Sequence, residues 1–403
     1  MRLVIDRLGH LGDAIAEGPD GPLFIKGFLP TEVIEGDDLA AMKIVTPSVH
    51  RVRAPCVHAK TCGGCMLQHA ADDFVADWKQ SNVRSALAGQ GIETQFMPMH
   101  ISPPKSRRRA SFAARRTKGG VLVGFHSRAS DVLVDIPHCQ LLHPELMEAL
   151  PKLDPFVRLG ATRVGEISVM VTQTVSGLDV VVTGAKDLDA EAQLQLARLT
   201  EAAGFARLTW NGETVALRHA PILRFGHAQV TPPPAAFLQA TAQGEAALLA
   251  AVQRITAPAR RIADLFAGLG TFALPLAARA EVVAVEGDSA MTAALSRAAR
   301  TAQGLRHMDV QTRDLFRRPL ELDEFKGIDA VVIDPPRAGA EAQMATLAAS
   351  KVPLIAAVSC NPVTFARDAK ILIAGGYRLD WVQVVDQFRW SHHVELVAAL
   401  SKQ

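Results

Sequence analysis

Three polar side chains stand where short apolar runs end or begin. Val331-Val332-Ile333 and Leu354 to Val358 are rich in β-branched residues, which predicts buried parallel strands. The first ends in Asp334-Pro335-Pro336-Arg337 and the second in Ser359-Cys360-Asn361-Pro362, while His393-Val394-Glu395 leads into a further apolar run. The carboxyl ends of strands in an open α/β sheet form its ligand crevice, so a carboxylate, a thiol and a second carboxylate are expected at one rim. Pro362 suits the first turn of a helix, and a helix N-terminus lowers the pKa of a nearby thiol. Cys360 is therefore read as a nucleophile, against the alternative of a buried structural cysteine.

The other four cysteines form a second constellation. Cys56, Cys62 and Cys65 have the spacing C-x5-C-x2-C, with Gly63 and Gly64 between the last two, and Cys139 follows Pro137-His138 much later. Four thiolates can hold a tetrahedral zinc or an iron–sulfur cluster, and the spacing alone leaves both open. A third pattern begins at Arg261. Ile262 to Phe266 predicts a strand leading into Gly268-Leu269-Gly270-Thr271, and Val282 to Val285 predicts a second that ends in Glu286. Asp314 follows a third strand and Asp334 a fourth. Glycines let a ligand approach the backbone where a helix begins, and an acid closing the second strand suits the hydroxyls of a ribose. A dinucleotide site competes, but the full Gly-x-Gly-x-x-Gly is missing because residue 273 is Ala.

These groups need positioning elements. A chain of 403 residues, 49% hydrophobic and 21% charged, has material for two or three folded domains. Residues 1–52 alternate short β-like runs with glycine turns, which predicts a small β-barrel of a kind that often binds oligonucleotides. Residues 53–230 hold the four cysteines, a helical pattern through Phe74, Trp78, Val83 and Leu87, and β-like runs from Val121 onward. Residues 231–403 carry the strand–helix alternation, introduced by Thr231-Pro232-Pro233-Pro234 and a helix from Phe237 towards Arg254. The net charge of +2 hides an asymmetry: Thr94 to Ser130 contains no acid but holds Lys105, Arg107, Arg108, Arg109, Arg115, Arg116, Lys118 and Arg128. Such a run is an electrostatic footprint for phosphate, and RNA is the expected partner. Met1 to His10 lacks a signal-peptide core, and the longest apolar run, Leu265 to Ala278, is shorter than the roughly 20 residues a membrane helix needs. A soluble, cytoplasmic, monomeric protein without structural disulfides is expected.

With these residues assembled, the chain closely resembles the bacterial RNA uracil-5 methyltransferases, especially the iron–sulfur branch acting on 23S ribosomal RNA. The resemblance rests on Cys56/Cys62/Cys65/Cys139, Phe237-x-Gln239, Asp264-Leu265-Phe266-x-Gly268-x-Gly270, Asp334-Pro335-Pro336-Arg337, Ser359-Cys360-Asn361-Pro362 and His393-Val394-Glu395. It implies an N-terminal barrel of the TRAM type, a central α/β domain with a 4Fe-4S cluster on the four cysteines, and a class I S-adenosylmethionine-dependent methyltransferase domain with a Rossmann-like seven-stranded sheet. It also implies that Gln239, Phe266, Gly268, Gly270, Thr271, Glu286, Asp314 and Asp334 line the cofactor and uracil site. Cys360 would be the nucleophile and Glu395 the base. Asp334 is left between a uracil contact and a cofactor contact.

There are departures from the pattern. Thr241 stands where the family usually has Asn, and Phe388-Arg389-Trp390-Ser391 replaces the usual Phe-Pro-x-Thr before His-Val-Glu. Three competing readings are a transfer-RNA uracil-5 methyltransferase, an N-methyltransferase acting on guanine or adenine, and a non-catalytic iron–sulfur RNA-binding assembly factor. The N-methyltransferase chemistry has no need of Cys360 or Glu395, and their presence beside an intact glycine loop argues against a decayed enzyme.

Overall fold

The computed structural model describes residues 1–403 apart from the side chain of Ala40. Near the N-terminus, short strands form two three-stranded antiparallel sheets. One joins Arg2–Val4, Val33–Glu35 and Lys43–Thr46, and the other Arg7–Leu8, Ala14–Gly18 and Gly21–Ile25. Alternation along these strands turns Leu3, Ile5, Ala14, Ala16 and Ile34 inward, where they share one core with Leu67, Val75 and Trp78 from the following segment. The central segment builds a seven-stranded sheet from Leu133–Asp135 to Glu213–Leu217, with the helices Asp154–Gly160 and Ala190–Ala203 packed on it.

The largest sheet has eight strands. Their order is Met308–Thr312, Glu281–Glu286, Arg261–Leu265, Ala330–Ile333, Leu354–Ser359, Glu395–Lys402, Tyr377–Asp386 and Gln95–Ile101. The first five run parallel, and Ala330–Ile333 lies on the far side of Arg261–Leu265 from Glu281–Glu286. Chain order therefore reverses beside Arg261–Leu265, and a crevice opens beyond the strand ends at such a switch point. Both faces are covered, so these strands are near-continuous apolar runs: Ala330 to Ile333 is wholly buried.

The expected seven strands become eight because Gln95–Ile101, which precedes residue 231, pairs in parallel with Tyr377–Asp386. The helix Asp72–Ala88 comes with it and packs Val83 and Leu87 into the core formed by Leu347, Phe365 and Leu372. Lys79 of that helix is fully buried and donates to Asp386 Oδ1 at 2.7 Å and to the Phe388 carbonyl at 3.0 Å. The helix expected from Phe237 begins only at Ala242. Thr241 is its N-cap, its hydroxyl accepting from the Gly244 amide at 3.0 Å and lying 2.8 Å from the Ser102 hydroxyl. A cap accounts for Thr at this position.

Candidate active site

Strand register brings the two carboxylates and the thiol together. Ile333 pairs with Ala357 in parallel, and Ser359 pairs with Leu396 in antiparallel. One residue further along, Asp334 and Cys360 leave the same end of the sheet, and Glu395 stands across from Cys360 on the neighbouring strand. All three line one cleft of about 600 Å³.

The turn after Cys360 is fixed locally. Asn361 caps the helix Pro362–Ala374 by accepting from the Val363 amide at 3.1 Å, with Pro362 in its first turn. The Asn361 side chain also donates to the Arg337 carbonyl at 3.0 Å, and Thr364 donates to the same oxygen at 3.2 Å. The Asp334 and Cys360 loops are thus hydrogen-bonded into one rim.

The opposite wall of the cleft comes from Phe266, Gly268, Glu286 and Asp314. Glu286 ties this wall together, accepting from the Gly268 amide at 3.0 Å and the Asp288 amide at 2.8 Å. The two glycines serve different ends. A Cβ on Gly268, at φ +55°, would meet nothing within 4 Å, so its open side faces the cleft. A Cβ on Gly270 would fall 2.5 Å from Leu295 Cδ1, so that glycine is required by packing. Gly270 and Thr271 do not line the cleft, whereas Gln239 does, held by Gln387 Nε2 at 2.6 Å. Phe266 itself adopts φ +61°, an outlier for a bulky residue, and its ring lies 5.4 Å from that of Phe316. Phe316, Met291 and Phe237 also line the cleft. Phe316 and Met291 escaped the sequence reading; the only sequence cue for Phe316 is an aromatic two residues beyond Asp314.

The electrostatics correct one expectation. The Cys360 thiol is pushed up to about 11, not down: burial is the largest cause, the charges of Glu395 and Asp334 add to it, and its own backbone amide and Arg337 oppose it too weakly. Burial raises Asp334 to about 7 and lifts Glu395 well above the usual carboxylate range, with the Asp334 charge adding to the second. Each group thus disfavours ionisation of its neighbours in the free cleft. His393, also on the lining, is pushed down to about 4 by burial and by neighbouring cations, and so is neutral.

A second hollow of about 590 Å³ adjoins the first, and Phe388 and His393 line both. It draws Lys26 from the N-terminal sheets, Arg107 and Arg128 from the central segment, and Ser391 and His392 from the loop before Glu395. Only these two cations of the acid-free run reach it. Arg108 instead pairs with Glu245 at 2.5 Å, Arg115 pairs with Glu166 at 2.7 Å, and Arg109 donates to Met170 Sδ and the Ala235 carbonyl. Two cations of the segment, Arg108 and Arg115, thus find acids in remote parts of the chain.

Cys56, Cys62, Cys65 and Cys139 surround a further cavity, walled by Phe125, Ile136 and Leu141. The Gly64 amide points at Cys62 Sγ and the Leu141 amide at Cys139 Sγ, each at 3.4 Å. All five cysteines are free thiols. Among the described residues, no three His, Cys, Asp or Glu side chains form a ready group for a single metal ion.

A mixed sheet with a parallel half, a glycine loop, an acid-capped second strand and a switch-point cleft is the arrangement of a nucleoside-cofactor site, and its likeness to known proteins makes it that of an S-adenosylmethionine-dependent methyltransferase. Residues 231–403 match the protein family described as tRNA (Uracil-5-)-methyltransferase. A Brucella suis protein described as an uncharacterized RNA methyltransferase is 43% identical over 405 residues, covering 100% of this chain and 98% of its own. The 23S rRNA (uracil(1939)-C(5))-methyltransferase RlmD of Halomonas elongata is 33% identical over 443 residues, covering 99% of this chain and 89% of its own. The fold is that of the Pyrococcus abyssi tRNA (uracil-54, C5)-methyltransferase, solved with S-adenosyl-L-homocysteine, at a TM-score of 0.79 and 24% identity with 99% of both chains covered. The chain belongs to the RNA uracil-5 methyltransferase family. Among the described residues, no helix is long and apolar enough to cross a membrane.

Proposed function

We propose that this protein methylates carbon 5 of a uridine in 23S ribosomal RNA through a covalent bond between Cys360 and carbon 6 of the base. The observation that carries the reading is the meeting of Cys360, Glu395 and Asp334 in one cleft with Gly268, Glu286 and Asp314. Ribosomal rather than transfer RNA is favoured by the likeness to the Halomonas enzyme.

Gly268, Glu286, Asp314 and Gln239 would hold S-adenosylmethionine, which when bound would supply an electrophilic methyl group on a sulfonium. Carbon 5 of uracil is too weak a nucleophile to take it unaided. Once the Cys360 thiol has given its proton to solvent, its sulfur adds to carbon 6, breaking the 5,6 double bond and moving the electron pair into an enolate, which makes carbon 5 nucleophilic. After methylation, ionised Glu395 takes the carbon 5 proton; the double bond returns as the sulfur–carbon 6 bond breaks and the thiolate leaves. A positioned base of this kind contributes roughly 10²- to 10⁴-fold. Asp334 is assigned to the uracil edge, where a carboxyl titrating to about 7 can donate or accept. The hollow holding Arg107, Arg128 and Lys26 is the path for the RNA strand, whose target base must leave its stack to reach Cys360.

The four cysteines are assigned to a 4Fe-4S cluster. In support, four thiols surround one largely apolar cavity, and two backbone amides are aimed at sulfur. Its role there is a structural cross-link that contributes folding free energy. Iron and labile sulfide in anaerobically purified protein would support the assignment, and one tight zinc in their place would remove it.

The test of function is methyl transfer from labelled S-adenosylmethionine to unmodified 23S and transfer RNA, with mapping of the product. Cys360→Ala should yield neither adduct nor product. Glu395→Gln should accumulate a methylated protein–RNA species that survives denaturing gels. Product formation by Cys360→Ala, or a Glu395→Gln protein that forms no adduct, would show the roles to be wrong.

A further inference from the structure

The loop between the last two strands carries Phe388 and His393 into the cleft and leads to Glu395. Its start is clamped by Lys79, which binds Asp386 and the Phe388 carbonyl. Its middle is held differently. Trp390 is 4% exposed and packs with Cys65, Leu141 and Cys139, at the wall of the four-cysteine cavity. Its carbonyl accepts from the Met66 amide at 2.8 Å and the Leu67 amide at 3.0 Å, the two residues that follow Cys65. Two residues on, His392 Nδ1 lies 3.3 Å from Met66 Sδ. Trp390 also adopts φ +60°. A bulky residue persists in that region only where its surroundings over-determine it, and here those surroundings are the Cys65 loop.

We infer that Trp390 is a positioning residue that couples the four-cysteine centre to the catalytic loop. The thiol ligands fix the Cys62–Leu67 backbone, the Met66 and Leu67 amides and the Cys65 side chain fix Trp390, and Trp390 fixes the approach of Phe388, His393 and Glu395 to the base. The coupling rests on the metal centre and the RNA methylation proposed above. It bypasses Gly268, Glu286 and Asp314, which lie at or just beyond the ends of other strands, and reaches the cofactor side only through Gln387, which holds Gln239 from the Lys79-clamped start of the loop, upstream of Trp390. Loss of the coupling therefore leaves S-adenosylmethionine binding intact while misplacing the groups around uracil, and a misplacement near 1 Å costs about 10²-fold in rate.

Two measurements on the full chain decide it. In the first, backbone hydrogen exchange is followed in the unmutated protein with its centre loaded and after anaerobic removal of the metal by a chelator. Exchange in residues 62–67 and 388–394 should rise together, with Ala330–Ile333 unchanged. A rise confined to 62–67, or protein that never carries a metal, overturns the coupling. In the second, Trp390→Ala and Trp390→Phe are purified with the centre loaded. Trp390→Ala should keep its metal content and its calorimetric affinity for S-adenosylmethionine within about twofold, yet lose about 10²-fold in kcat with a smaller change in KM for RNA. Trp390→Phe, which retains a ring against Cys65 and Leu141, should restore most of kcat. Unchanged kcat in Trp390→Ala, or a loss wholly in KM, overturns the inference. If metal removal unfolds the chain, the loaded variants decide alone; if Trp390→Ala does not fold, the exchange experiment and Trp390→Phe decide. An unmutated protein that methylates no RNA would overturn the proposed function, while the exchange result would still decide the coupling.

Discussion

Alkylation of Cys360 in the free protein separates a thiol activated by its helix from one suppressed by its neighbours. With a pKa of about 11, roughly one thiol in 10³ is ionised at pH 8. An unperturbed cysteine at about 8.5 would be about one quarter ionised, so the thiolate fraction falls by about 10²-fold. Intrinsic nucleophilicity works the other way: a Brønsted slope of about 0.4–0.5 over some 2.5 units returns about a decade. The net effect at pH 8 is only about tenfold, so a single rate at one pH decides little. The pH profile decides more. Iodoacetamide labelling of the Cys360 peptide, read by mass spectrometry, should climb about tenfold per pH unit well past pH 9, where an ordinary thiol levels off. The sign follows from the chemistry: raising the pKa of an acid moves the rise of its reactive anion to higher pH. Glu395→Gln should shift the profile to lower pH without bringing it to the ordinary value, because burial is the larger cause. A plateau below pH 8 in the unmutated protein would refute the reasoning and restore the helix N-terminus as the controlling influence.

The two loop glycines should part company on replacement. Gly268→Ala should cost about 1–2 kcal/mol for its left-handed backbone yet greatly weaken S-adenosylmethionine binding in calorimetry, since its new methyl group points into the cleft. Gly270→Ala, whose methyl group meets Leu295 and Leu274, should show its loss in thermal unfolding, about 1–3 kcal/mol beyond the same backbone cost. Lys79→Met should lower stability by about 3–5 kcal/mol in urea unfolding by leaving Asp386 buried without its cation, and adding Asp386→Leu should recover much of it. A double variant no more stable than Lys79→Met would show that the pair contributes through packing alone.

Much of this site was legible because each of its groups ends a short apolar run, and strand ends in an open parallel sheet must share a rim. Asp334, Cys360 and Glu286 follow from that rule, and Glu395 from the start of the closing strand. The direction of the Cys360 shift was not legible. The helix that favours the thiolate is local in sequence, while the carboxylates and burial that oppose it arrive through pairings across the sheet. Which cations of the basic run are neutralised was not legible for the same reason, since Glu166 and Glu245, which pair with Arg115 and Arg108, lie far along the chain. The eighth strand was silent because Gln95-Phe96-Met97-Pro98 lacks both alternation and β-branched residues. Edge placement explains how Pro98 is accommodated, as a sheet edge does not need its missing amide.

That edge strand also sets a timetable for biosynthesis. The strand Gln95–Ile101 leaves the ribosome long before its partner, with Gln383 bonding Pro98 from 285 residues further along the chain. At roughly 5–20 residues per second, it waits on the order of 15–60 s with its pairing groups unmet. The helix Asp72–Ala88 waits with it, because the face bearing Val83 and Leu87 packs on residues made just as late. The N-terminal sheets can shelter Val75 and Trp78 in the meantime, and their early closure would hold this helix in place until the last strands emerge. The catalytic unit is thus framed at both ends of translation, and a fragment beginning at residue 231 would emerge with Tyr377–Asp386 as a bare, sticky border.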